Sequence, residues 1–199
     1  MPIRTEVQMT KELTEIRWHG RGGQGVKTAA TMAAEAALQE GKFAQGFPEY
    51  GPERMGAPVT GYTRISDKAI TIHCGVAQPD VVIVLDNSLV GQIDLVAGLG
   101  EDGVLIINSN ENPADVRRKL GMKGGRLFTV DATRISMEEL GRSIPNTPMM
   151  GALVKVTELL NMETLKKDVQ KKFMKKFGEK IVQGNFRALE RAYQEVKSE

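Results

Sequence analysis

Gly20, Gly22, Gly23 and Gly25 place four glycines within six residues, where an alternating polar–apolar run gives way to an alanine-rich helical pattern. Glycine admits positive φ and lets a ligand or another chain approach the backbone closely. The unpaired N–H groups at the start of a following helix favour an anion. Gly20, Gly22 and Gly25 also satisfy G-x-G-x-x-G, a dinucleotide fingerprint whose full form wants an acidic residue about 20 positions on, at the end of the second strand. Glu40 has that separation but precedes Gly41 at the close of the helix, the wrong end of the unit. Three readings stay open for the turn, which also holds Arg21 and Gln24. It is a phosphate or other anion site, a nicotinamide-dinucleotide site, or a turn that only permits close packing.

A second stretch, 48–58, holds Pro48, Pro52, Pro58, Gly51 and Gly56, which forbid regular structure, together with Glu49, Tyr50, Glu53 and Arg54. Rigid loops of mixed charge are frequent binding elements. The plain alternative is a surface loop with an internal Glu–Arg pair. Glu49 and Glu53 could exchange protons, but binding Arg54, backbone amides or a partner suits them better. His19 and His73 each end a predicted strand without metal-ligand company, so structural hydrogen bonding is expected of them. Cys74 and His73 are adjacent in a predicted strand and so point to opposite faces, which disfavours a dyad. No catalytic or metal-ligating residue is therefore assigned. Lys166, Lys167, Lys171, Lys172, Lys175, Lys176 and Lys180 form a basic cluster, either a solvated face or a surface that steers an acidic partner.

The elements that must position these residues follow from periodicity. Strands are predicted at 14–18, 42–47, 59–65, 69–73, 81–85, 104–107 and 126–130, with 59–65 and 69–73 as a hairpin about Ser66-Asp67-Lys68. Helices are predicted at 26–39, from Ser88 to about 99, at 113–120, 136–142, 148–160, 163–177 and 179–197. This alternation implies an α/β fold: a three-layer α/β/α domain with a mostly parallel mixed sheet, a Rossmann-like first βα unit and a helical C-terminus. Residues 1–13 read as a loose lead-in and 14–199 as a single domain. The glycine turn, Asn87-Ser88, Asn108-Ser109 and Asp131 should then gather at the carboxyl edge of the sheet, where open α/β sheets bind ligands.

Bulk properties bound the function. The 199 residues carry a net charge of +2 and 5% aromatics, which argues against nucleic acid. Hydrophobic residues make up 41% and charged residues 26%, as in ordinary soluble domains. One cysteine excludes an intrachain disulfide and any iron–sulfur cluster held by this chain alone. The expectation is a cytoplasmic protein with no signal peptide and no membrane span. It has a plausible anion site and a binding loop but no self-contained catalytic apparatus, which suggests a binding domain or a subunit of something larger.

The segment from Glu15 to Gly25 and the segment from Phe47 to Val59 together resemble the gamma subunits of pyruvate:ferredoxin oxidoreductases, within the wider family of 2-oxoacid:ferredoxin oxidoreductases. The resemblance runs on through Ile65-Ser66-Asp67, Gln78-Pro79-Asp80 and the strand ending at Asp86, and spans roughly 14–195. It implies a complex that converts pyruvate, coenzyme A and oxidised ferredoxin to acetyl-CoA, carbon dioxide and reduced ferredoxin, or the reverse. It implies alpha, beta and delta partner subunits, which carry thiamine diphosphate, Mg and [4Fe-4S] clusters, with none of these bound by this chain and with ferredoxin met through the complex. It also places Gly20, Arg21, Gly22, Gly23, Gln24 and Gly25 at a coenzyme A phosphate or a subunit contact, and Glu49, Tyr50, Glu53 and Arg54 at a subunit interface. Relatives acting on 2-oxoglutarate usually show Arg-Gly-Gly in the second loop, whereas Met55-Gly56-Ala57-Pro58 looks more like the pyruvate enzymes. The alternatives are a gamma subunit for 2-oxoglutarate, a branched-chain 2-oxoacid or indolepyruvate, a stand-alone NAD(P)-binding oxidoreductase domain, and an adaptor without a ligand.

Overall fold

The computed structural model describes residues 11–49 and 56–199. Strand β1 (Leu13–Arg21) is an interior strand, third in a seven-stranded sheet of order β2-β3-β1-β4-β5-β6-β7. The other strands are β2 (Phe43–Pro48), β3 (Pro58–Ser66), β4 (Val81–Val84), β5 (Val104–Asn108), β6 (Arg126–Val130) and β7 (Lys197–Ser198). β1, β4, β5 and β6 are mutually parallel, while β3 runs antiparallel to both β1 and β2, and β7 antiparallel to β6. β4 and β5 are buried on both faces, which their unbroken Val/Leu/Ile runs require.

The two faces are covered unequally. Ile16, Trp18, Ile83, Ile106 and Phe128 face a core built with α1 (Val26–Gln39), α3 (Ala132–Leu140), α4 (Asn146–Thr157), α5 (Met162–Phe177) and α6 (Glu179–Glu195). Val82, Val84, Leu105, Ile107 and Leu127 face a smaller core with Leu89, Leu95 and Val116, the last on α2 (Pro113–Leu120). The alanine face of α1 allows a close approach to the sheet: Thr63 Oγ1 donates to the carbonyl of Ala30 at 2.8 Å, and a Cβ on Gly46 would lie 2.6 Å from that same oxygen.

Several expectations need correction. Residues 69–73 form no strand, because both edges of β3 are already taken by β1 and β2. The hairpin is β2–β3 instead, and the segment after Ser66 crosses the polar side of the sheet. There the carbonyls of Ile72 and Gly75 accept from Arg64, and that of Ile70 from Gln45. The helix expected from Ser88 to about 99 is only a 3-10 turn at Asn87–Leu89 followed by turns. Gly91 and Gly98 adopt φ of 78° and 72° there, which an α-helix cannot accommodate. Asp86, not Ser88, caps that turn by accepting from the Ser88 N–H. α3 starts at Ala132, earlier than expected, because Asp131 caps it by accepting from Arg134 N–H, and it ends at Gly141 in the left-handed conformation. β7, of two residues, has no periodicity to betray it.

Candidate functional site

The parallel strands end together, as their common direction demands, and deliver the glycine turn, Asp86, Asn108 and Asp131 to one edge. A cleft of about 340 Å³ lies there, lined by Gln24, Asp86, Ser88, Asn108, Asp131 and Thr133 among others. Asn108 is fixed by donating to the Leu85 carbonyl and to Thr133 Oγ1, each at 2.8 Å, while its own oxygen accepts from Thr133 N–H.

The glycine turn closes the cleft on one side. Gly25 precedes α1 with φ 84° and ψ 27°, and no side chain caps the helix. The N–H groups of its first turn are thus left for water, a ligand or a neighbour. Inside the turn, Gln24 Oε1 accepts from Arg21 N–H at 2.8 Å and Gln24 Nε2 donates to Asp86. Burial alone would raise the Asp86 carboxyl, but Ser88, Gln24 and Arg21 together hold it below the usual carboxylate range.

Arg21 is committed within the chain. Its Nε donates to Ser88 Oγ at 2.9 Å, Nη2 to Gln92 Oε1 at 2.9 Å and Nη1 to the carbonyl of Gly56 at 3.1 Å. It therefore joins the glycine turn, the segment after β4 and the end of the second motif. Backbone bonds reinforce this join: Gly22 N–H donates to the Ala57 carbonyl at 2.9 Å and Gly56 N–H to that of Gly22. At the other end of the second motif, Tyr62 donates its hydroxyl to Glu49 Oε2 at 2.8 Å. Burial first, and then this bond to a carboxylate, push the Tyr62 phenol up to about 12. The two motifs read from the sequence are thus brought together at the 56–57 end of the second, while its Glu49 end is tied to β3. Tyr50, Glu53 and Arg54 lie outside the described residues.

Beneath this edge, the polar side of β1 carries a buried pair, Arg17 and His19, of which only His19 was expected to make structural hydrogen bonds. Arg17 and His19 point to the same face, and Arg17 Nε donates to His19 Nε2 at 3.0 Å. That fixes the proton of the neutral ring on Nδ1, which is buried without an acceptor among the described residues. Burial, with the Arg17 charge adding to it, pushes the His19 imidazole down to about 4. Arg17 also holds the segment after β4 through the carbonyls of Leu95 and Ala97. The signal available in advance was the alternation Ile16-Arg17-Trp18-His19, which puts two polar side chains on a sheet face that folding then covers.

Other candidates fall away from the edge. His73 and Cys74 are exposed. Glu40 accepts from Asn161 N–H at 2.8 Å, at the far end of α1 from the glycine turn. Its carboxylate cannot serve a ribose beside that turn. β2 runs in the direction of β1 but β3 lies between them, so the neighbouring second strand of a dinucleotide-binding unit is missing from its place. Among the described residues, no three of His, Cys, Asp and Glu group as metal ligands. The single exposed cysteine does not fit a cysteine-held cluster. No helix among them is long and apolar enough to cross a membrane.

Residues 15–195 match the family model described as pyruvate ferredoxin/flavodoxin oxidoreductase. The chain belongs to this family. It is 49% identical over 95% of its length to pyruvate synthase subunit PorC of Thermotoga maritima, covering 97% of that protein. It is 46% identical over 91% of its length to the pyruvate/ketoisovalerate oxidoreductases common subunit gamma of Thermococcus kodakarensis, covering 96% of it. The crystal structure of pyruvate oxidoreductase subunit PORC from Thermotoga maritima superposes with a TM-score of 0.84 at 47% identity, over 94% of this chain and 99% of that one.

In this member of the pyruvate ferredoxin/flavodoxin oxidoreductase family, the described side chains at the carboxyl edge are held by one another: Arg21 by Ser88, Gln92 and Gly56, and Gln24 by Asp86 and Arg21 N–H. Such a surface is suited to presenting backbone donors in a fixed shape rather than to making or breaking bonds by itself.

Proposed function

We propose that this chain is the gamma subunit of a multisubunit pyruvate:ferredoxin oxidoreductase, supporting the coenzyme A-dependent conversion of pyruvate to acetyl-CoA and carbon dioxide with reduction of ferredoxin, or the reverse. It works in the cytoplasm with alpha, beta and delta subunits that carry thiamine diphosphate, Mg and the [4Fe-4S] clusters, and it meets ferredoxin only through the complex. The single observation that carries this reading is the joining of the two motifs, glycine turn to second loop, through Arg21, Gly22, Gly56 and Ala57. That joined edge faces the cofactor-bearing subunits. The free N–H groups of the first turn of α1 meet a phosphate of coenzyme A that lies beside the turn Gly22–Gly25. Because the Arg21 guanidinium is spent on Ser88, Gln92 and Gly56, its part is to hold this edge in shape.

A second reading is a gamma subunit shared between pyruvate and a branched-chain 2-oxoacid. It is favoured by the likeness to a Thermococcus kodakarensis protein named as common to pyruvate and ketoisovalerate oxidoreductases.

The test is anaerobic affinity purification of the native complex, followed by assay of 2-oxoacid- and coenzyme A-dependent ferredoxin reduction with pyruvate and with 2-ketoisovalerate. Co-purifying thiamine-diphosphate and iron–sulfur subunits with pyruvate activity support the first reading, and comparable ketoisovalerate activity supports the second. A chain that purifies alone and binds NAD(H) would overturn both.

A further inference from the structure

A cavity separate from the carboxyl-edge cleft opens on the other side of the glycine turn. It measures about 260 Å³ and borders Gly23 and Gly25, and its apolar walls are Leu140, Ile144, Phe173, Phe177 and Ile181. The rings of Phe173 and Phe177 meet edge to face with centroids 5.9 Å apart, yet Phe177 remains 43% exposed. A large aromatic left open beside an apolar hollow is an unfilled contact.

The rim is positive. Arg142 lines the cavity and is exposed, with no carboxylate partner among the described residues. The Lys176 ammonium sits 5.2 Å from the centre of the Phe177 ring. No carboxylate among the described residues lines the cavity. Asn146 is only 6% exposed; its oxygen accepts from Thr147 N–H, while its amide nitrogen abuts Gly25, where an added Cβ would lie 2.7 Å away. Along α5, Lys167, Lys171 and Lys175 follow one another at helical spacing on the exposed side and lack ion-pair partners among the described residues, unlike Lys166 and Lys172.

We propose that this cavity anchors an acidic segment of a partner subunit, whose apolar side chain fills the hollow while its carboxylates meet Arg142 and Lys176 at the rim. The inference rests on the reading of the chain as one subunit of a larger oxidoreductase. Two features select a protein segment over a cofactor. The volume is below the roughly 300–1,000 Å³ usual for small-molecule sites, and an aromatic-lined pocket ringed by charge is the anatomy of an interface anchor. Arg142 and Lys176 at the rim select the sign of the partner, and the lysine row farther round α5 adds only long-range steering, since like charges would be repelled and opposite ones drawn in.

The experiment titrates full-length wild-type, Phe177→Asp and Arg142→Glu chains against the remaining subunits of the complex, with thermal melting of each free chain as the control. Either variant is expected to weaken assembly by roughly tenfold or more with an unchanged melting temperature. Amide exchange should slow at 140–147 and 173–181 when the wild-type chain assembles, and added salt should weaken that assembly. If Phe177→Asp melts early, Arg142→Glu, at an exposed rim position, carries the test. Equal affinity of the well-folded variants and the wild type would overturn the proposal. So would protection of 173–181 by coenzyme A alone, which would make the cavity a small-molecule site; protection confined to residues beside Gly25 is the coenzyme A contact of the functional reading. A wild-type chain that fails to assemble at all would instead overturn the functional reading, so the two failures are distinguishable.

Discussion

The Arg21 guanidinium donates to the carbonyl of Gly56, 3.1 Å away, and so a residue of the first motif holds the end of the second. The same side chain reaches Ser88 and Gln92. Arg21→Ala is expected to cost about 1–2 kcal/mol, modest because the group is part-solvated. The larger effect is local: amide exchange should quicken at 56–58 and 87–92, and assembly with partner subunits should weaken. Unchanged exchange in both segments would show that Arg21 does not hold them.

Gly25 carries a second constraint. Its φ is 84°, and a Cβ there would meet the Asn146 amide nitrogen at 2.7 Å. Gly25→Ala should destabilise by about 1–3 kcal/mol through backbone strain and contact together. Asn146→Gly in the same chain should recover the contact part but not the strain part. Full recovery in a urea titration would place the whole cost in the contact.

Where α4 crosses α6, Gly151 lies so close to the other helix that a Cβ would be 2.2 Å from the Leu189 carbonyl oxygen. The obstacle is backbone, so no side-chain rotation relieves it. Gly151→Ala should cost about 3 kcal/mol or unfold the chain. A variant with wild-type stability would mean that the two helices separate freely.

His19 predicts a pH dependence. Burial and the Arg17 charge push its imidazole down to about 4, from 6.5 for a free side chain. The unfolded chain therefore takes up a proton that the folded chain refuses between those values. Stability from this group is complete above about pH 6.5 and falls as the pH drops towards 4, by roughly 3 kcal/mol in all. His19→Gln should flatten that limb of the stability curve. An equally steep limb in the variant would assign the loss to other groups.

Much of the architecture was legible in the sequence because it depends on neighbours along the chain. Val81–Val84 and 104–107 are short apolar runs of the length and β-branched content of a doubly covered strand, and the alanines of α1 announced a helix that packs closely. The glycine turn and its position before α1 follow from residue type alone. Family membership was equally visible, since the two motifs are contiguous stretches.

Only the tertiary structure decided which strands became neighbours. The insertion of β3 between β1 and β2 is a matter of edge pairing, to which local alternation is blind, and it left 69–73 with no strand to pair with. It also separated the glycine turn from the second strand that a dinucleotide site would need. Likewise, no spacing rule brings Arg21 to Gly56 or sets Asn146 against Gly25, because those contacts arise where distant elements end at the same edge. Residue type and periodicity determined the elements and the turn that could meet an anion. Long-range packing alone determined that the guanidinium beside that turn is used to hold the fold.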